Sequence, residues 1–224
     1  MKIYGIIIGY NGVESRFEVF MLDIGNLRPI APYGSNCYLL SSKGEYVVID
    51  PSADYSDALK EHPEIEGRVK YVLLTHAHFD HMLSINSWAD KCEAIYVGDA
   101  DSFALCDATK NCYLGFLGVD DGYYGPYKCL KDGDVIHFGD ERITVIACPG
   151  HTPGGLSYKI DNNIFCGDTA FAGGGYGRCD LPGGDIDILE KTLIKLITQL
   201  PAESVFYPGH GTSTTLKELI YYFM

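Results

Sequence analysis

Thr75-His76-Ala77-His78-Phe79-Asp80-His81 follows directly on the apolar run Tyr71-Val72-Leu73-Leu74. A strand that ends in such a cluster delivers three imidazoles and a carboxylate into one small volume. Imidazole is the commonest protein ligand for transition metals, and carboxylate adds a harder oxygen donor. A polar loop that merely happens to be rich in histidine is the plain alternative. It leaves unexplained why two of the remaining histidines stand in turns of the same kind. His151 lies in Pro149-Gly150-His151-Thr152-Pro153-Gly154-Gly155, after the apolar run ending at Cys148, and His210 lies in Pro208-Gly209-His210-Gly211, after Tyr207. Asp168 stands in Gly167-Asp168-Thr169, after Cys166. Small residues on either side let the backbone approach a site closely. Four strand ends that each deliver polar ligands describe one site along an edge of a sheet. His62, in a charged loop, and His137, in a strand, lack this setting and read as structural.

Working outward, Cys37-Tyr38-Leu39-Leu40 and Tyr46-Val47-Val48-Ile49 flank a turn at Ser42-Lys43-Gly44-Glu45 and read as a hairpin. Ile3–Gly9 and Phe17–Ile24 read as an opening strand pair, and further strands are expected at Val69–Leu74, Ala94–Val97, Val135–Phe138, Ile143–Cys148, Leu156–Ile160, Ile164–Cys166 and Ser204–Tyr207. Helices are expected at Asp54–Glu61, Asp80–Trp88, Asp99–Cys106, Asp185–Leu200 and Thr214–Phe223, the fourth from apolar residues at helical spacing. Thr109–Lys128, rich in Gly, Tyr and Asn, reads as a loop overhanging a pocket, and Gly173–Gly184 as irregular. Strands in two batches, each followed by helices, predict an α/β protein of two mixed sheets covered by helices, in one domain spanning residues 1–224.

The chain has 224 residues, 46% of them hydrophobic, which is enough for a substantial core without covalent staples. Its formal net charge of -13, with no basic cluster, argues against a nucleic-acid partner. The eight cysteines are scattered with no C-x-x-C pair, so a zinc ribbon or thioredoxin-type motif is excluded. The opening residues read as a strand rather than a signal peptide, and no run approaches a membrane span. A cytoplasmic protein with reduced thiols, and without a membrane partner, is the expectation.

The T-H-x-H-x-D-H cluster, the P-G-H-T-P-G turn, the G-D-T turn and the P-G-H-G turn, in that order between Asn36 and Thr215, resemble the metallo-β-lactamase superfamily. Gly177-Arg178-Cys179-Asp180-Leu181-Pro182-Gly183-Gly184-Asp185 looks like the loop of its glyoxalase II-like (hydroxyacylglutathione hydrolase-like) members. The resemblance implies a four-layered αβ/βα sandwich with a dinuclear metal site at one edge. It implies a first metal held by His76, His78 and His151, a second by Asp80, His81 and His210, and Asp168 bridging both. Two divalent ions are then expected, zinc first, with iron or manganese as alternatives. The implied reaction is hydrolysis of a small-molecule thioester by a metal-bridging hydroxide that Asp80 orients. Arg178 and Tyr124 are the candidate substrate contacts. Rival readings are a mono-iron oxidoreductase resembling the persulfide dioxygenases, which needs only His76, His151 and Asp168, and a lactonase.

Overall fold

Along Tyr46-Val47-Val48-Ile49 the side chains alternate between two separate cores: Val47 and Ile49 enter one, Tyr46 and Val48 the other. A strand buried on both faces has no polar side, which is why this run is continuously apolar. A computed structural model describes residues 22–223. The expected strand Ile3–Gly9 lies outside them, as does most of Phe17–Ile24.

The first sheet consists of β1 (Asp23–Leu27), β2 (Cys37–Ser42), β3 (Glu45–Ile49), β4 (Val69–Leu73), β5 (Cys92–Gly98) and β6 (Lys128–Leu130), in that spatial order. β1, β2 and β3 pair antiparallel, while β3 through β6 pair parallel. The second sheet holds β7 (Val135–Phe138), β8 (Glu141–Ala147), β9 (Leu156–Ile160), β10 (Asn163–Gly167), β11 (Val205–Pro208) and β12 (Thr214–Thr215), with β12 at one edge and β7 at the other. The β10–β11 pair is parallel and the other pairs of this sheet are antiparallel.

The helices are α1 (Tyr55–Glu61), α2 (Ile85–Trp88), α3 (Tyr113–Leu117), α4 (Ile186–Gln199) and α5 (Leu216–Phe223). Leu40, Leu73, Phe138, Tyr158 and Phe165 pack in the core between the sheets. A second core, with Val72, Tyr55 and Trp88, lies under the helices of the first sheet. The third, with Ile164, Phe206, Leu189 and Leu219, joins α4 and α5 to the second sheet. The layers are therefore helix, sheet, sheet, helix, the arrangement the resemblance implied.

The two sheets are tied together next to their ligand-bearing ends. The Tyr158 hydroxyl donates to the Leu74 carbonyl at 2.6 Å, and the Tyr38 hydroxyl to the Pro208 carbonyl at 2.7 Å. Leu156 N–H reaches the Thr75 carbonyl at 2.7 Å, and Asn36 N–H the Gly209 carbonyl at 2.7 Å. Each bond anchors a residue beside a ligand turn, and a buried donor left without its partner would cost about 1–3 kcal/mol.

Three expected elements differ. The helix expected over Asp80–Trp88 is a 3-10 turn, Phe79–His81, followed by the four-residue α2. From this turn Asp80 and His81 both present ligand atoms to one cluster. Asp99–Cys106 is helical over the expected residues but 3-10 rather than α, and its Asp101 bonds Thr152 and Gly154. The expected loop Thr109–Lys128 contains α3, bounded by left-handed residues Cys112 and Gly118. By contrast, Asp185–Leu200 holds: Asp185 caps α4 by accepting from Ile188 N–H, and Leu200 closes it.

Among the described residues every cysteine is free. Burial pushes the Cys37 thiol up to about 12 and the Cys148 thiol up to about 11, and raises Cys166 further still. Because the thiolate is the reactive form, an aromatic disulfide reagent at pH 8 is expected to label exposed Cys106 and Cys129 first. Cys37, Cys148 and Cys166 should label only after denaturation. Peptide mass mapping reads the order directly.

Candidate metal centre

β8, β10 and β11 run in the same direction, so their C-terminal ends share one edge of the second sheet. His151, Asp168 and His210 sit just beyond those ends, and the residues after β4 come from the first sheet to meet them. All seven ligands expected from the sequence come together here. They form three overlapping groups: His76, His78 and His151; His76, His81 and Asp168; Asp80, His81 and His210. Within each group the ligand atoms lie within 4.8 Å of one another.

The donor atoms sort into two sets. His151 Nε2 lies 3.0 Å from His78 Nδ1 and 3.2 Å from His76 Nε2, and 3.6 Å from Asp168 Oδ2. On the other side, Asp168 Oδ1 lies 3.2 Å from His81 Nε2 and 3.8 Å from His210 Nε2. Asp80 Oδ2 is 3.0 Å from His210 Nε2 and 3.8 Å from His81 Nε2. Asp168 thus turns one oxygen to each set.

The arrangement fits cations. His81 Nε2 and Asp168 Oδ1 are buried yet make no well-formed hydrogen bond, and buried polar atoms are ordinarily satisfied. Tautomers support the same use. His151 Nδ1–H donates to the Arg178 carbonyl at 2.7 Å, and His81 Nδ1–H to Asp50 Oδ2 at 2.8 Å. Thr75 Oγ1, which donates to Asp50 Oδ2, lies 3.1 Å from His76 Nδ1 and accepts its proton. All three Nε2 atoms are thereby turned inward, the role outer hydrogen bonds play around metal ligands.

Electrostatics hold most donors in their ligating form. Burial keeps the His76 imidazole well below its ordinary value and lowers His78 to about 3, with His151 adding to the effect. Burial pushes the Asp168 carboxyl up, but the surrounding histidines, His81 foremost, hold it well below the usual carboxylate range. Asp80 is lowered in the same way, by His81 and His210 against its burial. His81 runs the other way: Asp50, Asp168 and Asp80 outweigh its burial and hold it well above its ordinary value. A cation entering that set must displace its proton, so metal retention weakens as pH falls.

Two buried carboxylates that frame the site are absent from the sequence-based ligand set. Asp50, at the end of β3, is 1% exposed. It accepts from Thr75 N–H and Thr75 Oγ1, both at 2.7 Å, besides His81. Asp101 accepts from Thr152 Oγ1 at 2.7 Å and Gly154 N–H at 2.6 Å, and from Ala77 N–H at 3.4 Å, so it joins the His76–His78 loop to the His151 turn. The signal for Asp50 was its place directly after an apolar strand, the same place Asp168 holds. Asp101 carried no signal, since its partners are far away in sequence.

The candidate substrate residues stand differently. Arg178 touches the site through its backbone carbonyl. Its guanidinium is gripped by Asp180 at 2.8 and 2.7 Å and lies 6.0 Å from the Phe116 ring centre. Tyr124 is 71% exposed. His62 pairs with Glu64 at 3.3 Å beside α1, and His137 lies on β7 opposite Arg142.

Gly209 is where close approach decides the residue type. A Cβ there would collide with Asp168 Oδ1 and with His81 Cε1, the latter at 2.4 Å in the unrelaxed backbone and therefore a contact that cannot persist. Gly209→Ala is expected to leave the fold intact while weakening metal binding by about 10-fold or more, the scale seen when ligand support is disturbed. Chelator competition measures it.

Two mixed sheets between helical layers, with His and Asp donors along one edge, define a metal-binding hydrolase scaffold. The chain belongs to the Metallo-beta-lactamase superfamily, whose family model matches residues 30–210. The probable metallo-hydrolase YqgX of Bacillus subtilis (strain 168) is 29% identical over 191 residues, covering 83% of this chain and 89% of its own. Among solved structures, BLEG-1, a B3 metallo-beta-lactamase, superposes with a TM-score of 0.81 at 27% identity, covering 89% of this chain and 97% of its own. TTHA1623, solved in a di-iron-bound form, gives 0.73 at 28% identity, covering 88% and 97%. No helix of the described residues is long and apolar enough to cross a membrane.

Proposed function

We propose that this chain is a dinuclear metallo-hydrolase of small-molecule thioesters. The observation that carries the reading is the division of Asp168: Oδ2 faces the His76–His78–His151 set and Oδ1 faces the Asp80–His81–His210 set. Divalent ions held by these two sets would supply a hydroxide near neutral pH and polarise a carbonyl oxygen. Nitrogen-rich donors of this kind suit zinc or iron, and the di-iron form of TTHA1623 keeps iron in contention.

The chain's own residues supply position and proton handling. Asp80, held ionised, orients the attacking water and takes its proton on a carboxylate oxygen. Asp168 and Asp50 keep His81 in place for the second set. Asp101, the additional carboxyl beside the first set, has both oxygens engaged with Thr152 and Gly154, so it is not free to protonate a leaving group. A thiolate departs without such help, which favours a thioester over an amide.

Reconstitution with zinc, iron or manganese separately, followed by metal counting and assay with S-D-lactoylglutathione and simpler acyl thioesters, tests the reading. Two metals per chain with thioester turnover are expected. A single iron per chain with persulfide-dependent oxygen uptake would overturn it in favour of a dioxygenase. Turnover of lactones alone would overturn the substrate class.

A further inference from the structure

Beside His78 a small open cleft lies between the 3-10 segment Asp99–Cys106 and the two turns carrying Pro153 and Pro182. Its walls are largely apolar, with Phe103 54% exposed and Ala77, Pro153 and Pro182 opposite. Lys110 is the one lysine or arginine among its lining. We propose that this cleft is a substrate subsite for an anionic group, a carboxylate or a phosphate, and that Lys110 determines its specificity. The proposal rests on the thioesterase reading for the identity of the rest of the substrate.

Three observations support it. First, the backbone of Lys110 is held in place relative to the metal ligands. Lys110 N–H bonds the Asp107 carbonyl at 2.9 Å, and the next residue, the fully buried Asn111, accepts from Phe79 N–H at 2.8 Å. Phe79 lies between His78 and Asp80, so the lysine is stapled to the ligand loop itself.

Second, the charge of Lys110 is not consumed within the protein. Among the described residues its ammonium forms no hydrogen bond or salt bridge. Asp107 feels its charge, but its Oδ1 is oriented by Thr109 N–H at 3.0 Å and by the Thr109 hydroxyl, and it forms no salt bridge with Lys110. Asp101, the acidic residue of the lining, turns its oxygens to Thr152 and Gly154 and forms no salt bridge with Lys110. Arg178 makes an instructive contrast, since Asp180 already occupies its guanidinium.

Third, the setting is selective. A chain of net charge -13 repels anions over most of its surface, and a cation on a low-dielectric wall focuses attraction at one point. The apolar residues exclude water around the bound group, strengthening that contact. Their flat Pro and Phe surfaces accommodate a methylene chain leading to the charge.

Calorimetric titration of the metal-loaded protein tests this with three thioethers that lack the thioester bond: S-benzyl-3-mercaptopropionate, S-benzyl-2-mercaptoethyl phosphate and neutral S-benzyl-3-mercaptopropionamide. The wild type is expected to bind at least one anionic probe about fivefold tighter than the amide, the scale of a partly exposed ion pair. Which anion gains identifies the group. Lys110→Ala should bring all three to the affinity of the amide, and Lys110→Arg should keep the preference. Equal affinities in the wild type, or a preference that survives Lys110→Ala, would overturn the subsite. The two readings fail separately: preference without thioester turnover removes the reaction and keeps the subsite, and turnover without preference does the reverse.

Discussion

Asp168→Ala is expected to empty both metal positions together and to lower turnover by about 10³-fold or more, at 1.36 kcal/mol per tenfold. The reason is geometric. No other ligand in the cluster presents an oxygen to each donor set, with Oδ2 3.6 Å from His151 Nε2 and Oδ1 3.2 Å from His81 Nε2. Removing it also takes away a carboxylate that holds His81 above its ordinary value. The variant should remain folded, because Asp168 lies in the turn after β10 and belongs to none of the three apolar cores. Elemental analysis after dialysis, paired with the thioester assay, reads both effects. An Asp168→Ala protein that keeps two metals and full activity would remove the shared-ligand role.

Asp50→Ala should be the more damaging substitution for stability. Asp50 is 1% exposed and accepts from Thr75 N–H, Thr75 Oγ1 and His81 Nδ1–H. Breaking a buried charged pair and orphaning its partners costs about 3–5 kcal/mol. That is a large share of the roughly 5–15 kcal/mol that a domain has in total. Asp50→Asn separates positioning from folding. Asp50 has a left-handed φ of 55°, which Asn tolerates, and its carbonyl oxygen can still receive Thr75 N–H. Its amide would then face His81 Nδ1–H, donor against donor. That conflict disturbs the ring orientation needed by the second donor set, and affinity there should fall about 10–100-fold. Urea denaturation gives the first quantity and zinc competition the second. Unchanged stability in Asp50→Ala would show that the network around Thr75 is dispensable.

How much of this was legible beforehand differs from element to element. Asp185–Leu200 was readable because a helix is a local structure: its apolar spacing and its cap both lie within one segment. Asp80–Trp88 was misread for the complementary reason. Its residues have acceptable helical spacing, but the demand that Asp80 and His81 face one cluster comes from three other strands and overrides local preference. Arg178 has a charge that suits substrate binding, yet Asp180, two residues on, already holds it.

By itself the sequence determined which side chains can hold metal, since each ligand stands directly after an apolar run and strand-end turns with Gly and Pro can be recognised in one dimension. It also marked Tyr46–Ile49 as a strand, and a continuous apolar run of this kind leaves no polar side for water. Only the tertiary structure decided which oxygen of Asp168 serves which set, that Asp50 and Asp101 lock the ligand turns, and that Lys110 borders the cleft beside His78. Those facts depend on distances between residues far apart in the chain, such as Asp101 and Gly154. Such pairings arise when the sheets stack and their edges are brought into line, and no local pattern of residues encodes them.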